Sequence, residues 1–239
     1  MKMIKFLNFA IITILGLGVI SCGGDGDDGP GTNPSPGNPI LKGTVGEAVD
    51  LGLPSGTLWA SWNVGASSPD GYGCYYSWGE CGTKNDYSLA TYSFYDQEWQ
   101  EYKGEIGSNI QGTTYDIATV MWGGDWRMPS VEEFEELVDN CTWSWIYYNN
   151  SVYGYKVEGS NGNKIFLPAA GRYEGRSLKH RGMRGYYWSG SLREVNGNVD
   201  TAKSLNISGE SDNNYFYCGF SERYCGVTIR PVKKIPLVE

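Results

Sequence analysis

Glycine and aromatic residues are interleaved so closely through this chain that long helices have almost nowhere to form. Of 239 residues, 34 are Gly, 18 Tyr, 9 Trp and 7 Phe. A Gly in a helix interior costs roughly 1 kcal/mol relative to Ala, whereas aromatic rings suit the half-buried surface of a strand. A turn-rich chain with little continuous helix is expected, and any helix needs strong local signals. Two segments have them. Asp116 can cap a short helix carrying Ile117, Val120 and Met121, which Gly123 and Gly124 then stop. Ser130 follows Pro129 and precedes Glu133 by three residues, a capping-box signature, and Val131, Phe134, Leu137 and Val138 fall on one face. Glu132, Glu133, Glu135 and Glu136 are expected toward solvent.

The rest reads as strand and loop. Residues 49 to 64 suit a hairpin around the turn Leu53, Pro54, Ser55 and Gly56. Short strands are expected at residues 164 to 167, 186 to 189 and 215 to 218, and Val227, Thr228, Ile229 and Arg230 alternate like a final half-buried strand. Residues 65 to 112 form long loops whose rings, among them Tyr72, Tyr75, Tyr76 and Trp78, are expected to pack over a core. Helices in the first half and strands in the second argue for an α+β fold with an antiparallel sheet.

The N-terminus gives an address. Lys2 and Lys5 precede an apolar run over residues 6 to 20, long enough for a secretory signal but short of the about 20 apolar residues of a membrane span. Val19, Ile20 and Ser21 before Cys22 resemble a bacterial lipoprotein lipobox, which makes Cys22 the expected lipidated N-terminus. Stable anchoring needs more than one acyl chain, and such a cysteine carries several. Gly23, Gly24, Asp25, Gly26, Asp27 and Asp28 resemble the acidic signal of Bacteroidetes-type surface lipoproteins, or serve only as a solvated tether. The expected organisation is a signal peptide at 1 to 21, a Gly/Pro-rich tether at 22 to 42, one domain at 43 to 234 and a tail at 235 to 239. The expected location is the outer membrane, displayed on the cell surface.

Composition excludes several classes. There are 19 Lys and Arg against 27 Asp and Glu, a net charge of −8 that becomes −10 once Lys2 and Lys5 leave with the signal peptide. Phosphate neutralisation needs a basic surface, so nucleic acid is not an expected partner. A single His180 excludes His-clustered zinc and leaves Ser-His-Asp catalysis without an obvious partner set. Beyond Cys22 stand Cys74, Cys81, Cys141, Cys218 and Cys225, an odd number in a compartment that permits disulfides. The short-loop pairs Cys74 with Cys81 and Cys218 with Cys225 are candidate bridges, with the connectivity left open.

One segment is basic against this acidic background. Arg172, Arg176, Lys179, His180, Arg181 and Arg184 are bordered by Tyr173, Tyr186, Tyr187 and Trp188, and Asn213, Asn214, Tyr215, Tyr217, Arg223 and Tyr224 follow. Aromatic faces accept sugar rings or partner side chains, and Arg forks accept carboxylate, sulfate or phosphate. These residues are the candidate surface for an extracellular glycan or protein; alternatively Tyr187 and Trp188 are core and the arginines pair with surface acids. No cofactor is expected, although Asp212, Asn213 and Asn214 offer oxygen ligands that leave calcium open. Asp200, Thr201 and Ala202 resemble a three-residue O-glycosylation motif.

Trp122, Gly123, Gly124, Asp125, Trp126, Arg127, Met128, Pro129 and Ser130 together resemble the Fibrobacter succinogenes major paralogous domain of surface lipoproteins. Residues 49 to 57, 166 to 171, 187 to 189 and 227 to 232 carry supporting segments, in an order covering residues 43 to 234. The resemblance implies a C-type lectin-like domain related to the formylglycine-generating, sulfatase-modifying enzymes, with paired termini and long loops presenting a ligand surface. It also implies comparison with the retroelement-diversified members of that fold, whose C-terminal patch is rich in Asn and Tyr. The copper-binding cysteine pair of the enzymes is only loosely matched by Cys218 and Cys225, and the calcium motifs of sugar-binding lectins are missing from the sequence. The expected function is a non-catalytic, membrane-tethered recognition or adhesion module; the alternatives are a formylglycine-type oxidoreductase and a structural subunit of a surface assembly.

Overall fold

A computed structural model describes residues 44 to 103, 106 to 210 and 213 to 234, with side chains omitted at 210, 213 and 214. The signal segment, Cys22, the tether, Asp212 and the tail lie outside the described residues. Both helices form where their caps place them. In α1 (Ile117–Trp122) one Asp116 oxygen accepts the amides of Ala118 and Thr119 at 2.9 and 3.2 Å. The other accepts those of Gly112 and Met128, each at 2.9 Å, so one carboxylate ties the preceding and the following loops to the helix start. Burial raises the Asp116 pKa even with these four donors.

In α2 (Val131–Asn140) the capping box is complete, with Ser130 and Glu133 each bonded to the other's backbone amide. Glu133 departs from expectation: it is buried, because Arg127 binds it with two bonds of 2.7 Å and Thr57 and Lys234 reach the same carboxylate. A bidentate guanidinium supplies the partner that a carboxylate must find before leaving water.

Strands β1 (Ala48–Asp50) and β2 (Thr57–Ala60) make the N-terminal hairpin, and β3 (Tyr95–Asp96) and β4 (Glu101–Tyr102) a small hairpin within the long loops. A first meander contains β5 (Thr142–Tyr148), β6 (Val152–Glu158) and β7 (Lys164–Pro168). After the hairpin β8 (Arg172–Glu174) and β9 (Ser177–Lys179) comes a second, longer meander of β10 (Arg184–Val195), β11 (Asn198–Glu210) and β12 (Asn213–Glu222). Strand β13 (Val232–Lys234) returns to β2, so the two ends of the described domain share one sheet in the order β1-β2-β13. Every ladder between these strands is antiparallel, and with two short α-helices among them the described residues are α+β with strand dominant.

The expected final strand at residues 227 to 230 is different. All four residues are buried, and the segment makes only single bridges, Val227 to Tyr76 and Thr228 to Tyr187. Alternation marks a strand with one wet face; this segment has none, because it threads between Tyr76 and β10. Arg230 lies at its centre, fully buried, donating to Asn63 Oδ1 at 2.8 Å and to the carbonyls of Ala60 and Phe166 at 3.0 and 2.8 Å.

The β10-β11-β12 sheet divides the core. Trp188 and Ala202 face a cluster with Trp78, Ile110, Trp122 and Trp126, while Tyr187, Leu205 and Ile207 face a second with Trp59, Phe134, Leu137 and Leu167. As expected, rings of the long loops pack over a core: Tyr76, Trp78 and Phe94 join the first cluster, while Tyr75 and Tyr87, with Tyr72 beside them, form a third with Ala170, and their polar ends are tied to backbone. Trp78 Nε1 donates to Ser189 O at 2.9 Å and Tyr92 OH to Trp78 O at 2.7 Å.

Candidate functional site

The second meander carries the site because its strands outrun the core. Register places Arg184, Ser208 and Tyr215 side by side, then Tyr186, Asn206 and Tyr217, then Trp188, Ser204 and Gly219. Side chains two residues apart share a face, so these nine positions form one surface and Tyr187, Leu205, Ile207, Phe216 and Cys218 line the other. The Trp188 row is sealed into the core, whereas in the middle row Tyr217 is 49% exposed.

Between the tyrosines lies a floor of small polar side chains. Ser204, Asn206 and Ser208 are all buried in the central strand. Ser204 Oγ donates to Asn206 Oδ1 at 3.0 Å, and Asn206 Nδ2 to Tyr217 OH at 3.4 Å. Gly219 makes room for this amide: a Cβ there would stand 2.4 Å from Asn206 Nδ2. The Tyr215 and Tyr217 rings are 5.3 Å apart, tilted by 53°, and roof one side. On the other side Arg172 lies over the Tyr186 ring at 5.0 Å, and Tyr186 OH is 3.5 Å from His180 Nδ1. Burial raises the Tyr186 phenol pKa, keeping it a neutral donor and acceptor.

The fold thus brings together Arg172, His180, Arg184, Tyr186, Tyr215 and Tyr217 from the expected set, with the backbone of Asn213 and Asn214 at the start of β12. Arg172 is not a free fork: it pairs with Glu174 at 2.6 Å and also reaches Ser221 and Glu222. The remaining expected residues lie elsewhere. Arg176 pairs with Asp86 at 3.1 Å, Arg181 covers Tyr72, and Tyr173 is wedged between Tyr75 and Tyr87. Arg223 is buried in a cage of Trp78, Tyr92 and Tyr102, with Nη1 on Val199 O, which makes it a packing residue. Tyr224 is half-buried, and its carbonyl holds Ser77 Oγ at 2.8 Å.

Ser204, Asn206 and Ser208 were missed by sequence reasoning, although polar residues alternating with Leu205 and Ile207 carry the period of a two-faced strand. Tyr187 and Trp188 are core, the second of the two readings allowed for them.

The candidate bridges Cys74 to Cys81 and Cys218 to Cys225 are not formed, since Cys81, Cys218 and Cys225 are free thiols, as is Cys141. Cys218 faces α2 in one core cluster and Cys225 lies in the other, so the sheet separates the two sulfurs. Burial pushes the Cys218 thiol up to about 11 and Cys225 to about 12, which suppresses the thiolate. Among the described residues no group of three or more His, Cys, Asp or Glu is placed to hold a metal. Thr201, expected as a glycosylation acceptor, is buried in β11 and paired on both edges, out of reach of a transferase in the folded chain. No protein-family model, curated protein or solved structure matches the chain.

Proposed function

We propose that this chain is a membrane-tethered, non-catalytic recognition lipoprotein that binds an extracellular glycan or protein through the outer face of β10, β11 and β12. One observation carries the reading: Tyr215 and the exposed Tyr217 stand over the buried polar floor of Ser204, Asn206 and Ser208, with Tyr186 opposite. Flat rings over hydrogen-bonding amide and hydroxyl groups suit a ligand with both apolar faces and polar edges. The C-type lectin-like, major-paralogous assignment draws support from the paired ends of the domain and from the roles of the motif residues. Arg127, Ser130 and Glu133 knot α2 to β13, and Arg230 ties the C-terminal segment to β2 and β7. An oxidase built on Cys218 and Cys225 would need both sulfurs at one copper ion, and their placement in separate clusters argues against it.

The test is a glycan array and a pull-down from the outer-surface fraction with the purified full chain, alongside Tyr217→Ala. The expected result is a bound ligand whose affinity falls at least tenfold in the variant while the urea midpoint stays unchanged. A folded chain that captures nothing, or a ligand indifferent to Tyr217→Ala, would refute the assignment to this face.

A further inference from the structure

A second set of rings reaches the surface on the other side of the β11-β12 tip. In the β5-β6 hairpin, closed by Asn149 and Asn150 in left-handed conformations (φ 49° and 53°), Trp143, Trp145 and Tyr147 share a face with their partners Val157, Tyr155 and Tyr153. The inner end of this ladder is fixed. Trp143 stacks on Phe216 at 4.4 Å, and Trp145 lies flat on Gly209, where a Cβ would stand 1.8 Å from the indole. The outer end is Tyr147 and Tyr153, 48% and 46% exposed, their ring centroids 4.5 Å apart.

Arg181 lies on a neighbouring segment. Its guanidinium lies 4.8 Å over the Tyr72 ring and donates to Tyr75 OH at 3.3 Å. Burial raises the Tyr72 phenol's pKa, Arg181 lowers it, and Tyr147 adds to the rise. Tyr153 connects to the same segment through Ala169, whose amide donates to Tyr153 O and whose carbonyl accepts from Gly182. Arg127, Arg172 and Arg176 each hold a carboxylate, but among the described residues none stands within ion-pair distance of Arg181. In a chain of net charge −8, an exposed guanidinium with tyrosines but no acid beside it is suited to an anion brought from outside.

We propose that Tyr147, Tyr153 and Arg181 form a second binding site, for a single sugar ring carrying a carboxylate or sulfate. The rings take the C–H face of the pyranose and the guanidinium takes the anion. Two tyrosines exposed to this extent present on the order of 200 Å², against about 800 Å² per partner in a stable protein interface. The site is therefore sized for a sugar residue, not for a second copy of the chain. It does not depend on the Tyr215 and Tyr217 face being a ligand site.

The test is calorimetric titration of the purified full chain with a glucuronate-containing disaccharide, a sulfated disaccharide, a neutral disaccharide and a short Glu-rich peptide. The expected result is binding of an acidic disaccharide at least tenfold tighter than the neutral one or the peptide, identifying the anion by which acidic probe binds. Arg181→Gln and Tyr147→Ala should each weaken it at least tenfold, with unchanged circular dichroism, and Tyr217→Ala should leave it intact. Equal or tighter binding of the neutral sugar or the peptide, no binding of either acidic probe, or wild-type affinity in folded Arg181→Gln would overturn the proposal. Loss in Tyr217→Ala would overturn it too, by referring the binding to the other face.

Discussion

Replacing Arg230 with methionine tests whether a buried cation held only by neutral acceptors stabilises this fold. The guanidinium is fully buried, and its three hydrogen bonds go to one amide oxygen and two backbone carbonyls, with no acid in ion-pair range among the described residues. Burial depresses its pKa from 12.5 to about 10, so it remains charged at neutral pH. At about 1.4 kcal/mol per pKa unit, the ionised form is disfavoured in the fold by about 3 kcal/mol. Methionine removes that cost but leaves three acceptors without a donor, each worth about 1 to 3 kcal/mol when buried. Taking the middle of that range gives about 6 kcal/mol lost and about 3 regained, a net destabilisation of about 3 kcal/mol. For a domain of this size that is a fall in Tm of about 6 to 12 °C. Urea unfolding followed by tryptophan fluorescence reads it directly. A methionine variant as stable as wild type would show that the three bonds do not offset burying the charge, and that Arg230 serves something other than the stability of the segment.

Two further predictions concern pH. Burial pushes the Glu133 carboxyl up, but Arg127, the Ser130 amide and the Thr57 hydroxyl outweigh it and hold the pKa below the ordinary value. Its contribution is therefore present above about pH 4.3 and lost as pH falls through the lower folded value, so the deficit of Glu133→Gln, about 3 kcal/mol at neutral pH, should shrink in acid; a pH-independent deficit in urea titrations counts against the ion pair. At the alkaline end, burial raises Tyr75 to about 12 and Tyr76, Tyr87, Tyr92 and Tyr187 higher still. Folded phenols that keep protons which unfolded ones release near pH 10 stabilise the fold below about pH 10, and that stability is lost as pH rises through the folded values. Tyrosinate absorbance and circular dichroism should then change together; ionisation of these five phenols with the dichroism intact would contradict their burial.

How much was legible follows the range of the interactions. Asp116 and Ser130 announced their helices because a cap acts on amides two or three residues away. The turn Leu53, Pro54, Ser55 and Gly56 announced its hairpin for the same reason, with Gly56 N on Leu53 O at 2.9 Å. Glu133 was read as solvated because its helix neighbours are acids, yet its environment is set by Arg127 from the preceding loop and by Thr57 and Lys234 from two distant strands. The basic run of residues 172 to 184 looked like one patch and is three. Arg172 turns to Glu222, Arg176 to Asp86 and Arg181 to Tyr72, because the β8-β9 hairpin and the bend at His180, with φ 61°, point successive side chains apart.

By itself, the sequence determined the two helices, the strand-rich α+β character and the net acidic charge, all consequences of local propensity, spacing and composition. Tertiary structure decided which charges are buried, which thiols can meet and which rings reach solvent. Arg223 and Tyr217 stand six residues apart in the chain, yet one is caged by Trp78 and Tyr92 and the other is half in water. The physical reason is that burial and pairing belong to partners brought from 90 to 170 residues away, as in Arg176 with Asp86 and Arg230 with Ala60, and no local pattern records which partner the packing of two meanders will supply.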